Sequence, residues 1–278
     1  MVRLAVRVRR EDAEIVLAEL LSLAPAGVEE LDVSDDVVEY AVYGAPGELP
    51  ALPSVRAVAG EALVEVLSTE VPDDWDQRWR SFHRPLVLGD RLAVRPPWEP
   101  PPAAVAVDLV IDPGQAFGTG AHATTRLCLE LMLGLAAPGA GEFLDLGCGS
   151  GVLAIAAARL GWAPVAAVDF DQLAVSAAAE NASVNGVSVE VGRHDLRADP
   201  VLVAPTVAAN LLRPLLLAWA ARLREVRGRV ELPEHVIASG LLVGEADAIA
   251  GAFSAVSLRE TDRRVSGDWA ALLLERQV

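Results

Sequence analysis

The densest chemical signal in the chain is Phe143-Leu144-Asp145-Leu146-Gly147-Cys148-Gly149-Ser150-Gly151, an apolar run that passes into glycines at alternate positions. The apolar part reads as a buried strand, and Val152-Leu153-Ala154-Ile155-Ala156 beyond it opens a helix. Glycine carries no Cβ, so such a turn lets backbone amides come close to a ligand at the carboxyl edge of an α/β sheet. Twenty-two residues after Gly147, Asp169 ends the next apolar stretch, Ala166-Ala167-Val168. A carboxylate in that place can accept the hydroxyls of a ribose. The pair points to a cofactor containing adenosine.

Glycine spacing separates the candidates. A dinucleotide fingerprint is G-x-G-x-x-G, whose third glycine lets the helix pack closely beside a pyrophosphate. Here the order is G-x-G-x-G, at 147, 149 and 151. Asp145 adds negative charge near the turn, which disfavours a pyrophosphate and suits a cationic sulfonium or amino group. S-adenosylmethionine is therefore expected in preference to a nicotinamide cofactor.

Two further segments carry polar groups toward the same edge. Asp112 to Thr125 (DPGQAFGTGAHATT) holds three glycines around one phenylalanine before a helix that Thr124 or Thr125 can cap. Within it, His122 reads as a hydrogen-bonded loop residue, and Cys128 beyond it as core. Thr206-Val207-Ala208-Ala209 is an apolar strand that delivers Asn210, whose amide offers both donors and an acceptor. An asparagine there is also a plain turn former.

The elements that must position these groups alternate from Val105 onward. Strands are expected at 143–146, 165–168, 187–191, 206–209 and 236–238. Helices are expected at 124–135, 152–160, 172–185, 214–224 and 245–252. Alternation of this kind predicts a parallel sheet with helices on both faces, here closed by a terminal hairpin around Ser266-Gly267-Asp268. Residues 1–70 read instead as a small βαββ(α)β unit with a ferredoxin-like order. Its second helix should be short or absent, because Pro50 and Pro53 fall in the only stretch open to it. Between the two, Trp75, Trp79 and Phe82 mark one face of a connecting helix, and Pro96 to Pro102 (PPWEPPP) predicts an extended spacer.

Composition narrows the setting. The 278 residues give a soft expectation of two domains, and 53% hydrophobic content excludes general disorder. No apolar stretch is long enough for a membrane helix, and the N-terminus alternates apolar with basic residues instead of forming a signal-peptide core. Two cysteines cannot build a disulfide framework or a four-thiolate zinc site, so no metal is expected and a cytoplasmic setting is. The net charge is −16, and all 23 basic residues are arginine. Residues 1–70, with 14 acids against 5 arginines, carry −9 of it. Such a balance argues against direct nucleic-acid binding, which needs clustered cations, and leaves attraction to a basic partner and solubility charge alone equally open.

Together the segments 112–125, 144–161, 169–185 (DFDQLAVSAAAENASVN), 209–212 and 239–242 (SGLL) resemble the ribosomal protein methyltransferase family called PrmA. Residues 71–98 resemble that family's linker, so the likeness covers nearly the whole chain. It implies a class I S-adenosylmethionine-dependent methyltransferase domain over 104–278, with a Rossmann-like, mostly parallel seven-stranded sheet. It also implies a ferredoxin-like domain over 1–70 that grips the substrate, and a linker and spacer over 71–103. Carried over by motif, the cofactor contacts are Thr125, Gly147, Asp169 and Asn210, with Asp195 a weaker match for the adenine. The family methylates lysine side chains and the N-terminal α-amino group of the eleventh protein of the large ribosomal subunit. A methylase of glutamine amides or nucleic-acid bases would show Pro-Pro and an aromatic after Asn210, where this chain has Leu211-Leu212. A small-molecule methyltransferase, a nicotinamide oxidoreductase and a non-catalytic cofactor-binding module remain the alternatives. No residue stands out as a dedicated catalytic base.

Overall fold

The computed structural model describes residues 2–13, 16–17, 20, 28–34, 36–44, 49, 53, 56, 59–70, 85–112, 122–136 and 139–277. The chain divides into two compact units, Met1–Phe82 and His83–Val278. The expected connecting helix with Trp75, Trp79 and Phe82 lies outside the described residues, as does the glycine-rich part of the loop from Pro113 to Ala121.

In the first unit, β1 (Val2–Arg9), β2 (Glu29–Ser34), β3 (Val37–Gly44) and β4 (Leu63–Glu70) form one antiparallel sheet in the order β2-β3-β1-β4. Strand alternation sends Leu4, Val6 and Val8 with Val38 and Tyr40 to one face, where Val16 and Leu20 join them in a core. Ala13, Val16, Leu17 and Leu20 are helical, and so are Pro53, Arg56 and Ala59 before β4. Most of the stretch in which a short or absent second helix was expected lies outside the described residues. On the other face Glu39 is buried and accepts hydrogen bonds from Arg3 and from Arg7, the latter at 2.7 Å. Burial alone would raise the Glu39 carboxyl pKa; the two guanidinium groups outweigh it and hold the carboxyl below its ordinary value.

The second unit is built on a seven-stranded sheet. Its strands are β8 (Phe143–Leu146), β9 (Val165–Asp169), β10 (Glu190–Arg193), β11 (Thr206–Asn210), β12 (His235–Leu242), β13 (Leu258–Ser266) and β14 (Trp269–Arg276). The order is β10-β9-β8-β11-β12-β14-β13; the first five run parallel, and the β13–β14 hairpin adds antiparallel to β12. Helices α1 (Ala123–Leu135), α2 (Val152–Leu160) and α3 (Gln172–Val184) contribute to the core on one face. On the other face lie α4 (Arg213–Val226) and α5 (Ala246–Ser254), with Trp219 and Phe253 meeting edge to face at 5.6 Å. β10 starts three residues later than its apolar run does, because the Val187 N–H still bonds the Ala182 carbonyl at the end of α3. Among the described residues no helix is long and apolar enough to cross a membrane.

The proline-rich run is not a spacer. It connects β6 (Leu92–Arg95) to β7 (Val107–Val110), which pair in parallel, with β5 (Leu86–Leu88) antiparallel beyond β6. Arg95 forms a bidentate pair with Asp108 at 2.9–3.1 Å and donates to the Glu99 carbonyl at 2.7 Å. These bonds fold the run back on itself, and a Pro96–Glu99 turn does the rest. Leu88, Leu92, Val94 and Leu109 join the α1–α2 core, so residues expected in the spacer belong to the second unit.

Two asparagines, one in α3 and one at its C-cap, tie this small sheet to the glycine turn and to α3. Asn185 accepts from Val110 N–H at 2.9 Å and donates to the Val110 carbonyl at 2.7 Å, completing the end of β7. Asn181, buried, accepts from Asp112 N–H and donates to the Ser150 carbonyl in the glycine turn. Asn181→Ala should cost about 1–3 kcal/mol of stability, because the fully buried Ser150 carbonyl loses its partner. A urea midpoint equal to that of the parent protein would contradict this account.

Candidate functional site

Parallel strands β8 and β11 are neighbours whose crossovers leave to opposite sides of the sheet, and in open α/β sheets the crevice that takes a ligand forms outside the carboxyl ends at such a switch point. The glycine turn lies on one side of it. Gly147, Gly149 and Gly151 all have positive φ, at 74°, 52° and 79°, which is the local reason for glycine there. Gly147 and Cys148 N–H both bond the Val168 carbonyl, so the turn hangs from the end of β9.

Asp169 ends β9 beside this turn. One of its carboxylate oxygens accepts from Gly149 N–H at 2.9 Å and the other from Asp171 N–H at 3.0 Å. A carboxylate has about four lone-pair sites, so each oxygen keeps one for a hydroxyl. Phe170, next in the chain, is 59% exposed, and the Arg193 guanidinium lies 5.0 Å over its ring. The sequence reading passed over Phe170; an aromatic directly after the acid that ends a strand was the available signal.

Asn210 ends β11 level with Ser239 of β12. The buried Ser239 hydroxyl reaches the Thr124 carbonyl at 3.2 Å and the Ala270 carbonyl at 3.4 Å, which joins the first turn of α1 to the same edge. Thr125 is in that turn. Its Oγ1 is buried and meets no hydrogen-bond partner among the described residues. A buried hydroxyl left in this state is costly unless a ligand group completes it, so its place at the sheet edge fits a ligand-facing role. The helix itself is capped by His122, whose Nδ1 accepts from Thr124 N–H, and not by either threonine. His122 also meets Trp269 edge to face at 5.0 Å, and burial lowers its pKa. With Nδ1 engaged at Thr124, it serves as the hydrogen-bonded cap of α1. Cys128 is core as expected, its thiol pushed up to about 12 by burial.

Asp145 corrects the charge argument drawn from its position. It is 1% exposed beneath the turn, and one oxygen accepts from Ala154 N–H, the third residue of α2, at 3.1 Å. Gly151 at the N-cap has no side chain, so Asp145 supplies the cap from the preceding strand. Burial pushes its carboxyl up to about 7, the bond from Ala154 opposes this, and the nearby Asp169 adds to it. The acid that lies at the carboxyl edge beside the turn is accordingly Asp169. Asp195 lies in a tight turn, where its side chain accepts from Arg197 N–H at 2.9 Å.

The raised Asp145 pKa has a consequence for stability. The unfolded chain loses this proton near the ordinary 3.8, whereas the folded chain keeps it to about 7. The group's contribution therefore falls as pH rises through that window and is level above it. Asp145→Asn should flatten the decline in urea midpoint between pH about 5 and about 7.5 relative to the parent protein. Parallel curves for the two proteins would refute the protonated, buried acid.

Comparison with known proteins agrees with this geometry. Residues 54–277 match the family described as ribosomal protein L11 methyltransferase (PrmA). A ribosomal protein L11 methyltransferase from Pelotomaculum thermopropionicum is 41% identical over 221 residues, covering 78% of this chain and 70% of that protein. One from Symbiobacterium thermophilum is 38% identical over 202 residues, covering 72% of this chain and 65% of that protein. The crystal structure of a ribosomal protein L11 methylase from Lactobacillus delbrueckii subsp. bulgaricus superposes with a TM-score of 0.58 at 29% identity. That alignment covers 70% of this chain and all of the other. The chain belongs to the ribosomal protein L11 methyltransferase (PrmA) family.

Proposed function

We propose that this protein methylates amines of ribosomal protein L11, with S-adenosylmethionine held across the β8–β11 crevice by Asp169, Gly147, Thr125 and Asn210. The bound cofactor supplies a methyl group on a positively charged sulfur. The observation that carries the reading is Asp169: it is bonded to the glycine turn through Gly149 N–H and retains acceptor sites for ribose hydroxyls. Phe170 offers an apolar ring beside it.

The remaining chemistry is alignment of a neutral amine. A lysine amine titrates near about 10.4 and an α-amino group near about 8, so the lysine needs more help to lose its proton. Removal from water lowers both values. The Asn210 amide and the Thr125 hydroxyl orient the amine, with backbone carbonyls at the sheet edge, and solvent takes the proton. Orientation alone can remove much of such a barrier.

The acidic unit at residues 1–70 is assigned the gripping of a basic substrate, through complementary charge that speeds encounter. A cytoplasmic setting suits a chain whose two cysteines are both free and buried.

Incubation with S-adenosylmethionine and unmodified L11, followed by mass spectrometry, should find methyl groups on lysine ε-amines or the N-terminal amine. Cofactor binding without methyl transfer would leave a binding module in place of an enzyme. Asp169→Ala should raise the cofactor Kd about 10–100-fold, the worth of one or two hydrogen bonds to a charged group, and lower kcat at saturating cofactor much less. An unchanged Kd by calorimetry would remove Asp169 from the site. Added salt should raise KM for folded L11 far more than KM for the cofactor; equal sensitivity would discard the charge-steering role.

A further inference from the structure

Leu211 follows Asn210 directly, at the point where β11 ends and the chain turns toward α4. Three contacts hold it. A Cβ built on Gly147 would lie 2.3 Å from Leu211 Cδ2, so the leucine side chain occupies the notch left by that glycine. A Cβ on Gly240 would lie 2.5 Å from the Leu211 carbonyl oxygen and 3.1 Å from its nitrogen, so the Leu211 backbone occupies a second notch. Between them, Leu211 N–H donates to the Ser239 carbonyl at 3.0 Å. Gly240 itself has a φ of 84°, and the β12–β14 register breaks between Ala238 and Leu241. That irregularity gives the Leu211 backbone its seat in β12.

From this we infer that Leu211 is a positioning residue: a wedge that couples the cofactor turn to β12 and so sets the direction of the Asn210 amide. Packing for stability alone does not call for the arrangement. The following residue, Leu212, is 67% exposed, and Leu211 is itself only partly buried. Yet two glycines on separate elements, Gly147 before α2 and Gly240 within β12, are both shaped to this one residue. A side chain gripped on one side by the glycine turn, with its backbone gripped by β12, leaves Asn210 little freedom to swing. The inference rests on the proposed placement of Asn210 beside the reacting amine.

The test compares Leu211→Ala, Leu211→Met and Asn210→Ala, using S-adenosylmethionine and unmodified L11 as probes. Leu211→Ala should lower kcat about 10–100-fold, the cost of a small misalignment, with cofactor Kd within about threefold of the parent value. Leu211→Met, similar in volume and able to fill the Gly147 notch, should restore most of kcat. If Leu211→Ala does not fold, Leu211→Val is read in the same way, with a smaller fall in kcat expected. Unchanged kcat for Leu211→Ala together with a lowered kcat for Asn210→Ala would overturn the wedge alone. A rise in cofactor Kd that matches the fall in kcat would also overturn it, by making Leu211 a support of cofactor binding. Unchanged kcat for Asn210→Ala would overturn the placement of Asn210 and the wedge with it.

Discussion

The amide nitrogen of Gly149 lies 2.9 Å from a carboxylate oxygen of Asp169 and donates its hydrogen to it. This bond joins the turn after β8 to the end of β9, and the site depends on it. Parallel pairing puts the ends of β8, β9 and β11 along one edge, but their ends would still differ in direction without a link between the loops that leave them. Asp169 provides that link with one oxygen and braces its own turn with the other, through Asp171 N–H. The same carboxylate is thus part of the scaffold at the edge where the proposed cofactor would lie.

Around this bond the site is assembled from polar groups that stiffen the edge without facing it. Asp145 caps α2 from beneath, Asn181 bridges Asp112 and Ser150, and Ser239 reaches back to α1. Each is buried, and each satisfies a backbone group whose loss of partner would be costly in a low-dielectric interior. They hold the glycine turn and the start of α1 in fixed relation. By contrast Phe170 and Leu212 stay exposed.

How much of this the linear order revealed depends on the range of the forces involved. β8, its turn and α2 were legible because each is a local pattern: an apolar run, glycines at positive φ, then helical spacing. The later strands and helices followed within a few residues for the same reason. The proline-rich run misled because Arg95 and Asp108 fold it back from thirteen residues apart. The cap of α1 went to His122 because an imidazole nitrogen happened to aim at Thr124 N–H, a matter of loop geometry that composition does not encode. Asn181 and Asn185 stood in plain view as poor helix formers four residues apart at the end of an alanine-rich helix, yet their partners Val110, Asp112 and Ser150 lie on other elements.

The order of residues determined the two-unit organisation, the alternation that makes a parallel sheet, and the identities of Gly147, Asp169 and Asn210 at its edge, because periodicity and turn chemistry act between near neighbours. Only the tertiary structure decided which acid braces the carboxyl edge of the sheet and which sits buried as a cap. It also decided that Leu211 should lie in two glycine notches, from elements sixty-four residues before it and twenty-nine after. Desolvation and close packing depend on what surrounds a group in space, and chain position does not specify those surroundings.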